Sequence, residues 1–288
     1  MKSTILAQGL AAVCALALLA GSPAAAALAA GNGSTAKSGD DKLTKERIAI
    51  GYADQNGTRL LGLMSAKEDA KPFTQAVCAP NEKLSIASAG YQQDDGQGSY
   101  RQSMWNFDHD EGALYRVKGK SKATPNNSCI LTTKDAWTGY SFPVYKAAKG
   151  EKLSAALVAR IEKVSHRKVI QHERIGTIGS NTTVALVEYD HSDGTALAAI
   201  ALITSATTVL YVLEGDAGHS DGGSIWRVDD GGQIRASHFR IVTAARSASG
   251  YALGLEWYGT ESNVVLVLKQ KDRKFVEVDG GGRYIAPV

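Results

Sequence analysis

From Asn56 onward, Asn-Gly and Asp-Gly dipeptides punctuate this chain: Asn56-Gly57, Asp95-Gly96, Asp193-Gly194, Asp221-Gly222, Asp230-Gly231 and Asp279-Gly280. These pairs supply the positive φ angles that tight hairpin turns require, so a chain marked by them is driven to double back on itself. Between them lie short runs such as TVALVEY, TALAAIALIT, TTVLYVLE and SNVVLVLKQ. The runs are rich in Val, Ile, Leu and Tyr and are seldom long enough for helices. The pattern predicts a meander of antiparallel strands.

One segment departs from it. In GEKLSAALVARIEKVSHRK, Leu153, Leu157, Ile161 and Val164 recur at helical spacing, with Lys152, Arg160, Lys163 and Arg167 on the other faces. This is an amphipathic α-helix with a solvated basic side. It sits between two halves that echo each other in order. IGYADQNGTRL (50–60) aligns with VEYDHSDGTAL (187–197), DEGALYRV (110–117) with DGGSIWRV (221–228), and ILTTKDAWTGYSF (130–142) with IVTAARSASGYAL (241–253).

The expected fold class is therefore mainly β, an antiparallel meander of two related β-units, sandwich or barrel-like, joined by one α-helix. A propeller is the alternative for many short strands, but the repeat is far longer than one blade. The expected organisation is a signal peptide over 1–30, a flexible leader over 31–46, a first β-unit over 47–146, the connecting helix over 147–172 and a second β-unit over 173–288.

The signal-peptide assignment rests on the first thirty residues. Lys2 gives a positive start, Ile5 to Ala20 is apolar, Gly21-Ser22-Pro23 breaks the run, and small residues follow. That is the layout of a secretory signal peptide, and a bacterial-like one, so the expected location is the periplasm or the exterior. After its removal only Cys78 and Cys129 remain of three cysteines. In an oxidising compartment they are expected to form one disulfide. A formal net charge of +3, from 32 Lys and Arg against 29 Asp and Glu, gives no electrostatic case for nucleic acid as a partner. No apolar segment of the mature chain is long enough to span a bilayer.

The stretch GHSDGG (218–223) contains G-x-S-x-G, the pattern of an α/β-hydrolase nucleophile elbow with Ser220 as nucleophile. An elbow needs a helix directly after the serine. Here GSIWRVDDGG follows, a short β-like run that reaches another glycine turn. The motif reads as a turn.

HSDG itself occurs twice, at 191–194 and 219–222, separated by two strand-like runs that go out and back. Both turns should share one rim, where His191, Asp193, His219 and Asp221 would form a ligand set suited to zinc or another divalent ion. Exposed turns are the plainer reading, because Ser, Asp and Gly are what turns are made of. The first half offers a thinner version in Asp54, His109 and Asp110.

A second candidate is the repeated aromatic-arginine pair, Tyr115-Arg116 and Trp226-Arg227. Side chains alternate along a strand, so an inward aromatic leaves the arginine in solvent in both halves. Arginines and aromatics are also favoured anchors at binding sites.

Two functional expectations follow. The first is a non-catalytic exported binding protein, such as an inhibitor, an immunity-type protector or an envelope accessory, whose partner is a protein or an envelope polymer and which needs no cofactor. The second is a metal-dependent envelope hydrolase using the His/Asp rim.

Overall fold

The structure is a computed structural model describing residues 42–64, 70–148, 150–191, 194–216, 224–227 and 230–285. Six strands, β1 (Ile48–Ala53), β2 (Arg59–Gly62), β3 (Gln75–Cys78), β4 (Glu82–Gln92), β5 (Gly112–Val117) and β6 (Ser128–Thr132), close into a barrel in the order β1-β2-β5-β4-β3-β6. Nine more follow: β7 (Tyr145–Ala147), β8 (Val169–Ile178), β9 (Thr182–Tyr189), β10 (Ala196–Ile203), β11 (Thr208–Gly215), β12 (Phe239–Ser247), β13 (Gly250–Tyr258), β14 (Ser262–Lys271) and β15 (Lys274–Tyr284). They form one sheet in the order β12-β13-β14-β15-β11-β10-β9-β8-β7. Its two ends are joined by an antiparallel bridge between Ser141, just ahead of β7, and Arg246 of β12, so this sheet too is barrel-like. The chain thus adopts the expected class: mainly antiparallel β, two barrel-like sheets, with one helix between the units.

Period-two alternation explains the interiors. The closed barrel is filled by Leu60, Phe73, Leu84, Ile86, Tyr115 and Leu131 together with Cys78 and Cys129. The two cysteines face each other across β3 and β6 with Cα atoms 4.0 Å apart and are joined by a disulfide. The nine-stranded sheet wraps a second core that includes Leu186, Ile200, Leu213, Ile241, Leu253 and Phe275.

The runs that read as apolar without alternation are strands buried on both faces. In β12 to β14, Leu253, Leu255 and Leu268 point into the sheet's own core. Val242, Ala252, Val265 and Val267 point the other way, against Ile48, Ile50, Val77 and Ile130 on the outside of the barrel.

A polar weld supplements this contact. Asn81, at φ 61° in the β3–β4 turn, reaches a bulge in β12 between Ile241 and Thr243. There its Oδ1 accepts from Ala244 N and Thr243 Oγ1, both at 2.8 Å, and its N–H donates to Val242 O at 2.9 Å. A bulge leaves ladder groups unpaired, and one asparagine satisfies them.

The helix α1 spans Ala155–Ser165, with Ser154 at its N-cap and His166 in the left-handed conformation at its end. It lies on the outer face of the sheet, where Ile161, Leu157 and Val158 meet Ala199, Ala201 and Ile203. Alternate alanines in β10 let the helix approach closely. Leu153, one residue ahead of the cap, is buried in the same cluster, in the manner of a hydrophobic staple.

Several sequence expectations change in detail. Asp279-Gly280 is not a turn: both residues lie inside β15, paired with Val267 and Leu266. The glycines there serve close approach, since a Cβ on Gly281 would lie 3.2 Å from Ile50 Cγ1 of the barrel. The segment echo is clearest at its first pair, where β1-turn-β2 and β9-turn-β10 are both antiparallel hairpins. Against β5, however, the matching residues 225–227 are bends rather than strand. The second sheet also begins before the helix, with β7.

Candidate functional site: an arginine cleft at the junction

The long connection between β4 and β5 does not float. Gln102 N donates to Tyr284 O at 2.7 Å and Tyr284 N to Gln102 Oε1 at 2.8 Å, so the connection extends the end of β15. Met104 N donates to Asn126 Oδ1 at 3.1 Å, which ties the same segment to the turn before β6. These walls, with the ends of β12, β13 and β14, enclose a cleft of about 600 Å³ whose lining includes Arg101, Trp105, Asn126, Arg240, Tyr258 and Arg283.

The floor is a charged network. Arg283, 1% exposed, donates through Nε and Nη2 to Gln102 O, through Nη1 to Asn126 O and Ser128 Oγ, and through Nη2 to Asn126 Oδ1 at 2.7 Å. Its whole fork is used on neutral acceptors. Ser128 Oγ in turn donates to Glu256 Oε1 at 2.5 Å. The fully buried Glu256 receives Arg240 Nε at 2.8 Å and Nη2 at 2.5 Å on its other oxygen. Arg240 also reaches across to Asn127 Oδ1 at 2.8 Å.

Burial lowers the pKa of Arg283, with Glu256 opposing the shift. The same guanidinium lies 4.6 Å over the Tyr52 ring. Tyr52 donates to Asp110 Oδ2 at 2.6 Å, and burial followed by that carboxylate drives its pKa far up. Asp110 is itself raised, chiefly by burial. Of the two arginines, Arg240 alone bonds the buried carboxylate of Glu256, Arg283 reaches it through Ser128, and both guanidinium groups line the cleft together with Arg101.

Exposed aromatics occur on the segments that wall the cleft, and Trp105 lines it. Trp105 is 69% exposed and Tyr100 67% exposed, on the connection that carries Arg101. Tyr284, 46% exposed, follows Arg283 on β15. Nothing in the sequence marked this constellation. Its members come from separated segments, and the bonds of Gln102 with Tyr284 and Arg283 bring the first and last of them together.

The sequence candidates are distributed elsewhere. Tyr115 packs inside the barrel with its hydroxyl donating to Lys71 O at 2.6 Å, and Arg116 is exposed, as alternation in β5 requires. Trp226 is also buried, but it lies in bends, so the alternation argument does not extend to its neighbour. Arg227 is folded back, donating to Tyr258 O at 3.2 Å and lying 3.1 Å from His238 Nε2. Burial, then Arg227 and Arg235, lower the pKa of His238, which suits a neutral imidazole accepting from Arg227. The two pairs do not form one surface: Tyr115 belongs to the barrel core and Trp226 to the sheet core.

For the metal candidates, the out-and-back path is present: β10 pairs with both β9 and β11, and Ala196 lies opposite Gly215. The end of β9, the start of β10 and the end of β11 therefore lie at one rim of the sheet. His191 Nε2 is 3.3 Å from Glu188 Oε1, and burial raises the pKa of Glu188. Asp193, His219 and Asp221 lie outside the described residues, as does Ser220. No cluster of metal-binding side chains occurs among the described residues.

The thinner set in the first half is dispersed. Asp54 accepts from Thr58 N and from Arg59 N and Nε, His109 lies 2.9 Å from Asp95, and Asp110 holds Tyr52. No helix among the described residues is long and apolar enough to cross a membrane. Comparison with protein-family models, with curated proteins and with solved structures finds no match for this chain.

Proposed function

We propose that the protein is a non-catalytic, exported binding protein, an inhibitor, immunity-type protector or envelope accessory, which seats an acidic segment of a protein or envelope polymer in the arginine cleft. The observation that carries this reading is the gathering of three guanidinium groups, Arg101, Arg240 and Arg283, in the lining of one cleft that also carries the exposed indole of Trp105. Arginine and tryptophan are the side chains that most often anchor binding partners, and a low-dielectric pocket strengthens their attraction for an anion.

The side chains that line the cleft among the described residues are guanidinium, amide, hydroxyl, aromatic and aliphatic groups. They can donate hydrogen bonds and stack, but they include no imidazole, thiol or carboxylate to act as a catalytic base. The Cys78–Cys129 disulfide fits an oxidising compartment, and the reading places the protein in the periplasm or beyond.

Tryptophan fluorescence tests the proposal. Poly-L-glutamate at low salt is expected to change the emission saturably, whereas poly-L-lysine does not. Trp105→Phe removes the signal, and Arg101→Ala weakens binding by about tenfold, a loss of ~1.4 kcal/mol. A protein that ignores poly-L-glutamate, or variants that respond like wild type, would rule the reading out. The alternative, a divalent-metal hydrolase, draws on the repeat of HSDG at 191–194 and 219–222; metal analysis of untagged protein decides it, a metal-free sample whose melting temperature is unmoved by zinc counting against it.

A further inference from the structure

The wall of the nine-stranded sheet contains one weak joint. β11 and β15 run parallel and meet at a single pair, Leu210 with Lys274, where Leu210 N donates to Arg273 O at 3.0 Å. Each strand is committed to its other neighbour, β11 to β10 from Ala196↔Gly215 to Ile203↔Thr208 and β15 to β14 from Ser262↔Tyr284 to Lys271↔Lys274. Their own ladder, by contrast, does not extend past Leu210 and Lys274. A pocket of about 840 Å³ opens there, closed on one side by the last turn of α1. That volume lies within the ~300–1,000 Å³ typical of small-molecule sites.

Its surfaces are of two kinds. Val164, Leu197, Leu210, Val212 and Phe275 supply an apolar interior, and Val212 is 50% exposed although it sits in mid-strand. Lys163, Arg167, Arg273 and Lys274 form the rim, and no Asp or Glu lines the pocket among the described residues. The carboxylate of Glu277 nearby accepts the Tyr211 hydroxyl. Basic residues beside the end of a helix stabilise its carbonyls, which accounts for Lys163 and Arg167. It does not account for Arg273, in the β14–β15 turn, and Lys274, the first residue of β15.

An apolar slot ringed by cations is complementary to a molecule with a hydrocarbon body and one anionic end. We propose that this pocket binds a single-chain lipid anion, with the alkyl chain along Val212 and Phe275 and the carboxylate against Arg273 and Lys274. The site is separate from the arginine cleft: the two share no lining residue.

Isothermal titration of the full chain with dodecanoate, below its micelle concentration, is expected to show saturable binding of one molecule. Dodecanol, which lacks the charge, and acetate, which lacks the chain, should each bind at least about tenfold more weakly. Val212→Asp and the double variant Arg273→Glu/Lys274→Glu alter exposed positions, and circular dichroism checks that they fold. Each should weaken dodecanoate by about tenfold or more, while Trp105→Ala in the arginine cleft leaves it unchanged. Absence of saturable uptake by wild type, equal affinity for dodecanol, folded pocket variants that bind normally, or loss of binding in Trp105→Ala would each overturn the proposal.

Discussion

Gly57 closes the β1–β2 hairpin at φ +67°, and a Cβ placed on it would lie 1.9 Å from the carbonyl oxygen of Ala123. Two costs add for any larger residue: the left-handed conformation, about 1–2 kcal/mol, and displacement of a neighbouring backbone that itself bonds to the turn, Ala123 N donating to Gly57 O at 2.8 Å. Gly57→Ala is expected to lose about 3 kcal/mol or more in urea denaturation. Gly194 is the contrasting case, with φ +77° but no atom within 4 Å of where a Cβ would stand. There alanine should cost only the conformational part. A pair of curves in which Gly57→Ala is no worse than Gly194→Ala would refute the steric account. Both glycines stand in the same kind of dipeptide, so their sequence neighbourhoods predict a turn and cannot rank the two penalties.

At the scale of the element, helix α1 depends on a contact that titrates. The N–H of Leu153, at the entrance to the helix, donates to His172 Nδ1 of β8 at 3.0 Å. That bond exists only while the ring nitrogen is unprotonated. Burial and then Lys152 lower the pKa of His172 below its ordinary 6.5, with Glu173 opposing them. Between the lowered native value and 6.5 the folded chain binds fewer protons than the unfolded one, so this contribution is intact above pH 6.5 and is lost as the pH falls below it. Hydrogen exchange at the Leu153 amide should accelerate beyond the intrinsic change as the pH falls below 6.5. His172→Asn, whose Oδ1 can accept the same bond without titrating, should flatten that excess. An excess that survives the substitution would assign the effect to another group. The helix itself was legible from the spacing of Leu153, Leu157, Ile161 and Val164, but its anchor was not, because His172 lies on a separate strand.

For the whole molecule, the decisive feature is that the two barrels share a buried seam. Glu256 on β13 receives Ser128 from β6 and Arg240 from β12, while Arg283 of β15 bonds to Ser128 and Asn126 of the barrel side. Removing the charge of Glu256 leaves the Arg240 guanidinium without its carboxylate partner in the seam. Glu256→Gln keeps the shape and is expected to lose about 3–5 kcal/mol of stability. A melting temperature within about two degrees of wild type would mean that solvent already screens the network. Because the seam also forms the floor of the arginine cleft, a destabilised Glu256 variant is unsuitable for testing binding. Arg101 and Trp105, at the walls and lip, are the positions to alter for that.

What the sequence determined by itself is local: β strands separated by glycine corners, one amphipathic helix, and a disulfide between Cys78 and Cys129. Such features are encoded within a few residues, by backbone φ preferences and by the period of apolar side chains. Tertiary structure decided which Gly-rich stretch is a corner and which is a place of contact, as at Gly281 against Ile50. It also decided that the two sheets close differently, and that Arg101, Arg240 and Arg283 converge. Those outcomes depend on strand register and sheet closure, which set distances between residues far apart in the chain, and no short window of sequence carries that information.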